Sequence, residues 1–358
     1  MIDGGSPGGF ARDDLDLVCV RALPALEALR GARIFMTGAT GFVGRWLLAS
    51  LMHARNYLGL RLDVLALSRD PGAFLRAHPS FGDRDGLSFV AGDIRTFEFP
   101  DGPCDVVVHA ATDTSVDADR RPMELVDSII LGTRRVLEYC ERKSVKRMLY
   151  LSSGAVYGPQ PSDVGFLHEG SGGGPDQLSP HAVYGEAKRA SEMLCAIAGR
   201  NEGPEAVVAR IFAAVGPGLP LDAHFAIGNF IRDAMDGRDI RVASDGSAQR
   251  SYIYAADLAA WLLTLLARGR GGVAYNVGSD EAISIGELAA RVRGALNAPV
   301  MVDIAGKTAP GAPRSRYIPD ITRARSELGL DIWTSLDAAI RRTAAFANHN
   351  PVSRKLRA

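Results

Sequence analysis

The sequence predicts an α/β chain, in which a doubly wound parallel sheet is followed by a smaller C-terminal α/β domain. Three observations predict it. From Arg33 onward, apolar runs of about five to seven residues alternate with longer stretches whose apolar residues recur at helical spacing. A glycine-rich turn, TGATGFVG, joins the first run to the first of those helices. The 358 residues, 47% hydrophobic and 23% charged, hold enough apolar material for one large core or two smaller ones, which excludes disordered, collagenous and short disulfide-built chains.

In chain order, residues 1–30 are expected to be a flexible leader and a helix. MIDGGSPGGF has no charged region followed by an apolar one, so it reads as a floppy leader rather than a signal peptide. RIFMTG, LDVLALS, LSFVAGD, DVVVHAA and RMLYLSS read as strands, since a strand covered on both faces is a continuous apolar run. The segments between them place Phe42, Leu47, Leu48 and Leu51, or Leu125, Ile129, Val136 and Leu137, along one helix face. Strand, helix, strand repeated in this way gives a parallel sheet with helices on both sides. The first domain is therefore assigned to residues 31–215.

After AVVARIFAAVGPG the alternation fades and Gly, Pro and Asp become frequent, so the domain character changes near Gly216. Residues 216–347 are expected to form mainly the second domain, with some segments returning to the first sheet. Helices are expected there around Asn229 to Asp236, Ala256 to Ala267, Ile285 to Ala295 and Ser335 to Ala347. Residues 348–358 read as a solvated basic tail.

Charge and cysteine content exclude several functions. Lys plus Arg is 41 and Asp plus Glu is 41, a balance that gives no global field to hold a nucleic acid or an anionic membrane. The longest apolar run, Leu258 to Ala267, is about half of the roughly 20 residues that a membrane span needs. Cys19, Cys104, Cys140 and Cys195 lie far apart, which suggests neither a disulfide framework nor a metal cluster and fits a reducing cytoplasm.

The first strand runs directly into Gly38, Gly41 and Gly44, and an apolar helix follows at once. Glycines suit a tight turn, close approach of the backbone to a pyrophosphate, and close packing of helix on sheet. The helix N-terminus then offers open N–H groups to the phosphates. Gly38, Gly41, Phe42, Val43 and Gly44 are thus the expected dinucleotide cradle, in the spacing GxxGxxG. Together with the strand pattern, this makes the first domain Rossmann-type.

At the end of the second strand an NAD enzyme places an acidic residue for the ribose 2′-hydroxyl, whereas this chain has Ser68 and Arg69. A hydroxyl followed by a guanidinium suits a 2′-phosphate, so NADP is favoured over NAD; the alternative is a solvated Arg69 with Asp70 taking the ribose. Asp93 and Ile94 of AGDIR end the third strand and suit an adenine-edge contact.

PHAVYGEAKRASEML places Tyr184 and Lys188 four residues apart on one helix face. A phenol, with a pKa of about 10, is a poor base at neutral pH, and a neighbouring ammonium favours its ionised form. LSSGAVYG brings Ser153 to the carboxyl edge of the sheet, where doubly wound folds bind ligands, and its hydroxyl can share a substrate oxygen with Tyr184. Ser153, Tyr184 and Lys188 are the expected catalytic set, with Tyr184 and Lys188 also touching the cofactor.

With these motifs in order, the chain resembles the extended short-chain dehydrogenase/reductase family, the NAD-dependent epimerase/dehydratase group that acts on nucleotide sugars. The resemblance runs from Ala32 to about Phe346. It rests on TGATGFVG, GDIR, VVHAA, the pair Gly132 and Thr133, LSSGAVYG, YGEAK, RIFAAVGPG, RSYIYAADLA, YNVGS and PDITRARSELGL. It implies a nucleotide-diphosphate sugar whose C4 lies between the Ser/Tyr pair and the nicotinamide. It also implies cofactor contacts from Ala110 and Ala111, a C-terminal part that binds the substrate, contact of Arg250 with the diphosphate, and a homodimer built through a four-helix contact.

Departures from the family pattern bear on the substrate. Ala213 follows RIF where the family often has Asn, Ile129 stands where an Asn precedes the GT pair, and Leu219 to Ile231 lacks the usual Asn-Leu. His224 or Asn229 is the expected substitute there. Dehydratases and decarboxylases of the family carry carboxylates just after the catalytic Ser or Thr, but here Gly154 and Ala155 follow Ser153. Neither moves a proton, so hydride and proton exchange at C4 is the expected chemistry. A 4-ketoreductase is favoured, a 4-epimerase is the alternative, and a dehydratase would need a carboxylate from elsewhere, such as Glu169 or Glu186. A non-catalytic NADP sensor is the remaining class, and the retained Ser153, Tyr184 and Lys188 argue against it.

Overall fold

The computed structural model describes residues 5–112, 120–200, 203–223, 225–306 and 314–349. The chain divides into two compact units. The first gathers Met1–Val156, Gly174–Ile211 and Ala259–Tyr275. Its centre is a seven-stranded sheet containing β1 (Arg33–Thr37), β2 (Asp63–Ser68), β3 (Leu87–Ala91), β4 (Val106–His109), β5 (Arg147–Ser153), β6 (Glu205–Ile211) and the strand Ala274–Val277. Across the sheet the order is Ala274–Val277, β6, β5, β4, β1, β2, β3. The winding therefore reverses between β1 and β4, where Met36 pairs with Val108. Strands β1 to β6 pair in parallel. The sheet is doubly wound, as the apolar runs imply, and all four residues of β4 are buried.

Crossover helices cover the sheet. The helix Pro122–Arg142 lays Val136, Tyr139 and Cys140 into a core shared with Phe35, Phe97, Val107 and Met148. The aromatic rings of Phe35 and Tyr139 lie 4.6 Å apart at the centre of that core. The helix Phe42–Tyr57 is buried on more than one face, including Trp46, Leu47, Leu48, Leu51 and Met52. A helix that is apolar nearly all round needs cover on its outer side as well.

That cover corrects the expectation of a floppy leader. From Gly5 onward the N-terminal segment is ordered: Pro7–Gly9 forms a short 3-10 turn, and helices follow at Arg12–Arg21 and Leu23–Ala28. Phe10 is fully buried and stacks on Trp46 with ring centroids 4.2 Å apart. His53 meets Asp16 at 2.6 Å, a further tie between the segment and the helix it covers. The glycines and proline mark a turn, while Phe10, Leu15, Val18 and Leu26 bury apolar side chains that a solvated leader would leave in water.

The second unit gathers Tyr157–Gly173, Phe212–Leu258 and Asn276–Ala358. Two boundaries thus differ from a single break near Gly216. Ala259–Tyr275 belongs to the first unit, one of the returns expected, while Tyr157–Gly173 leaves it for the second. Among the bonds that tie the latter to the second unit, fully buried Asn276 donates its side-chain amide to the Leu167 carbonyl at 2.7 Å and accepts from the Tyr157 hydroxyl at 2.7 Å, and Gln160 accepts from Ile318 N–H at 3.0 Å. Strands here are only two or three residues long, including Gln249–Arg250 between Ile283–Ser284 and Arg316–Tyr317. Helices run over Ala226–Met235, Ile285–Ala295, Thr322–Leu328 and Leu336–His349. The third was not expected; it ends on Gly329 in the left-handed conformation, a usual helix stop. Among the described residues, no helix is long and apolar enough to cross a membrane.

Candidate active site

The loop after β1 is shaped by the absence of side chains. Gly38 has φ +71°, and a Cβ there would collide with the Ala110 carbonyl and the Ala111 nitrogen. A Cβ on Gly44 would run into the Gly38 carbonyl oxygen. Gly41 caps the Phe42–Tyr57 helix in extended conformation without a side-chain hydrogen bond. The N–H groups of Phe42, Val43 and Gly44 therefore stand in the first turn, where helix geometry supplies no carbonyl partner and the dipole is positive. Such an end accepts a pyrophosphate.

At the end of β2, the Ser68 carbonyl accepts from Gly92 N–H at 2.9 Å, while its side chain is buried and Arg69 is exposed. Asp70 is engaged locally, since its carboxylate accepts from Ala73 N–H at 2.8 Å and caps the helix Pro71–Ala77. Beyond β3, Asp93 accepts from the backbone and guanidinium of Arg95 at 3.0, 2.7 and 3.1 Å. These bonds hold its carboxyl below the usual carboxylate range, and the charge of Arg69 adds to the effect. Ile94 lies against Gly132 on the Pro122–Arg142 helix.

Ser153, Tyr184 and Lys188 are brought together where β5 ends beside the helix Val183–Arg200. Ser153 Oγ accepts from Ala155 N–H at 3.1 Å, which leaves its own proton to be donated toward Tyr184. Burial raises the Tyr184 phenol above its usual pKa, and a hydrogen bond with Ser153 opposes the rise. Lys188 Nζ donates to Thr112 Oγ1 at 2.8 Å and to the Leu151 carbonyl at 2.7 Å, and lies 5.9 Å from the Tyr184 ring centroid. Burial pushes its ammonium down to about 7, with Cys195 and Glu192 opposing.

The electrostatics differ from the expectation that Lys188 lowers the phenol. Lys188 is buried and Tyr184 partly so, and desolvation disfavours both charged forms, while Ser153 is the neighbour that eases ionisation of Tyr184. Thr112, directly after VVHAA, was missed as the residue that holds Lys188. Its only sequence signal was its position at the end of that motif.

Gly154 and Ala155 begin the short turn after Ser153 and offer no proton-transfer group. Glu169 accepts from Asn276 N–H at 2.9 Å and lies 3.9 Å from Arg323, while Glu186 lies 3.6 Å from Arg189. Arg250 and Asn229 belong to the second unit. Arg250 donates to the Gln249 carbonyl at 2.7 Å, and Asn229 sits half-buried in the helix Ala226–Met235. His224 lies outside the described residues.

A model of the NAD dependent epimerase/dehydratase family matches residues 34–278. UDP-glucuronic acid decarboxylase 5 of Arabidopsis thaliana is 28% identical over 304 residues, covering 83% of this chain and 84% of that protein. The structure of epimerase Mth375 from Methanothermobacter thermautotrophicus superposes with a TM-score of 0.77 at 24% identity, covering 94% of this chain and 98% of the other. MoeE5, solved in complex with UDP-glucuronic acid and NAD, superposes with a TM-score of 0.72 at 25% identity, covering 88% and 99%.

Proposed function

The chain belongs to the NAD dependent epimerase/dehydratase family, and from that premise we propose that it reduces the C4 ketone of a nucleotide-diphosphate 4-keto-6-deoxy sugar. The observation that carries this reading is Gly154 and Ala155 directly after Ser153. Loss of water across C5 and C6 needs groups that exchange protons there, and neither residue can. Glu169 and Glu186 are engaged with Asn276 and Arg189, so neither is poised to replace them.

The residues present fit a nicotinamide dinucleotide. Gly38 and Gly44 leave the loop bare for a pyrophosphate, with the first-turn N–H groups of Phe42, Val43 and Gly44 facing it. When bound, the cofactor supplies a hydride to the sugar C4. Tyr184 supplies the balancing proton to the C4 oxygen, and burial suits it to this role because it keeps the phenol protonated at neutral pH. With substrate bound, Ser153 turns its hydroxyl proton to the same oxygen. Lys188 lies one helical turn along and is fixed by Thr112 and Leu151 for contact with the cofactor.

NADPH is the preferred donor in this reading, because Arg69 is exposed beside Ser68 while Asp70 is spent as a helix cap. Ala110 and Ala111 line the cofactor, Asp93 and Ile94 lie at the adenine, and Arg250 and Asn229 serve the nucleotide diphosphate and sugar. Leu131, Met193 and Ile197 are large apolar side chains left exposed on the helices Pro122–Arg142 and Val183–Arg200. A second copy of the chain covers them in a homodimer.

A second reading, C4 epimerisation with NAD, runs the same Ser153 and Tyr184 chemistry in both directions, and the NAD bound to MoeE5 favours it. The test supplies a panel of UDP, TDP, CDP and GDP sugars, including 4-keto-6-deoxy forms, with and without NADPH, and follows cofactor absorbance and product mass. Stoichiometric NADPH oxidation with formation of a C4 alcohol is expected. Redox-neutral inversion of nucleotide sugars would instead establish the epimerase, and a dehydrated product from TDP-glucose or UDP-glucose would refute both.

A further inference from the structure

Behind the glycine loop runs a chain of buried polar groups that the catalytic set does not use. Thr37 ends β1 and pairs in register with His109 at the end of β4. Thr133, on the Pro122–Arg142 helix, is the third member, and none of the three side chains is more than 2% exposed. His109 Nδ1 lies 2.8 Å from Thr37 Oγ1, and its Nε2 lies 3.1 Å from Thr133 Oγ1.

The proton positions follow from counting donors. Thr133 Oγ1 has one hydrogen and gives it to the Ile129 carbonyl at 2.7 Å, so it can only accept from the ring. His109 must therefore carry its proton on Nε2, leaving Nδ1 bare to accept the Thr37 hydroxyl. Burial, with the charge of Lys188 adding to it, pushes the imidazolium down to about 3, so the ring is neutral at working pH. With its hydrogen aimed at His109, Thr37 Oγ1 turns a lone pair to Ala111 N–H at 3.2 Å. The Thr37 carbonyl takes the preceding donor, Ala110 N–H, also at 3.2 Å. One threonine thus pins both amides of the peptide segment against which Gly38 is pressed.

We propose that His109 is a positioning residue for dinucleotide binding: its Nδ1 lone pair aims the Thr37 hydroxyl, which holds the Ala110–Ala111 backbone against the Gly38 turn. The inference rests on the reading that a nicotinamide dinucleotide occupies the glycine loop. Thr133 orients the ring from the far side, so the two ring nitrogens have separable roles. Loss of the Nδ1 acceptor frees the Thr37 hydroxyl to rotate and releases Ala111. Loss of the Nε2 donor removes one buried hydrogen bond but leaves Thr37 aimed.

The difference between the two nitrogens supplies the test, since asparagine places an acceptor near the Nδ1 position and glutamine places its amide near the Nε2 position. Dissociation constants for NADPH and NADH are measured by calorimetry, and melting temperature by calorimetry without cofactor, for the parent, His109→Asn, His109→Gln and Thr37→Val. Asn and Gln should lower the melting temperature alike, each losing one link of the chain. Cofactor binding should weaken about tenfold in His109→Gln and Thr37→Val, the worth of a net hydrogen bond, and less than about threefold in His109→Asn. Equal weakening in Asn and Gln, or parent-like binding in Thr37→Val, overturns the proposal and leaves His109 as a core residue only. A parent that binds neither cofactor overturns the dinucleotide reading itself, and the proposal with it.

Discussion

Lys188 gives the most direct test of the site's electrostatics. Its side chain is 3% exposed, and burial brings its pKa from 10.5 to about 7. Between those values the unfolded chain holds a proton on this amine that the folded chain lacks, so unfolding takes up a proton and stability rises with pH. The slope is 2.303RT per proton, about 1.4 kcal/mol for each pH unit. Below pH 7 the amine is protonated in both states and the full cost of burying the charge is present; that cost is relieved as pH climbs toward 10.5. Cys19, Cys104, Cys140 and Cys195 act in the opposite direction, because burial raises each thiol and only the unfolded thiols ionise in the alkaline range. Lys188→Met retains those thiols, so the informative quantity is the difference between the two proteins. Urea unfolding at pH steps from about 7.5 to about 9.5 should show the parent gaining stability on Lys188→Met by about 3 kcal/mol across the window. Parallel pH profiles would refute the reasoning: they would mean that the bonds to Thr112 and Leu151 stabilise the ammonium enough to cancel its burial.

Two further outcomes are expected. Tyr184→Phe should keep the fold and NADPH affinity while turnover falls by roughly 10² to 10⁴, the usual worth of a positioned acid, as read by steady-state kinetics on the substrate found in the sugar panel. Arg69→Ala should weaken NADPH by about 1.5 to 3 kcal/mol, the worth of a charged hydrogen bond, and leave NADH nearly unchanged in calorimetry; an equal loss for both cofactors would remove Arg69 from the 2′-phosphate.

Much of the first unit was legible because its order is local. Most residues of β1, β2, β4 and β5 are buried, so each reads as a largely apolar run, whereas the edge strand β3 is only partly covered. Gly38 and Gly44 record a turn in which a side chain would collide with backbone. Phe10 was illegible for the opposite reason. Its partner Trp46 lies 36 residues on, and nothing in the local composition of GGSPGGF reports a ring stack. Strands of two or three residues in the second unit are too short for a period of two to register, which is why its helices were easier to locate than its sheets.

The candidate site divides along the same line between local and distant partners. Tyr184 and Lys188 were visible because a helix converts a spacing of four into a shared face. What holds Lys188 in place was not, since Thr112 stands 76 positions earlier and meets it only through the packing of two elements. Neither was the direction of the pKa shifts, because burial is a property of the folded chain. The bare positions Gly154 and Ala155 could be read directly, yet they constrain the reaction only if no other carboxylate takes their place. Glu169 receives the Asn276 amide and lies near Arg323, and Glu186 lies beside Arg189. Those contacts turn a missing side chain into support for the proposed reading: with both alternatives named from sequence already engaged, that reading leaves Tyr184 and Ser153 to act at one oxygen of one carbon.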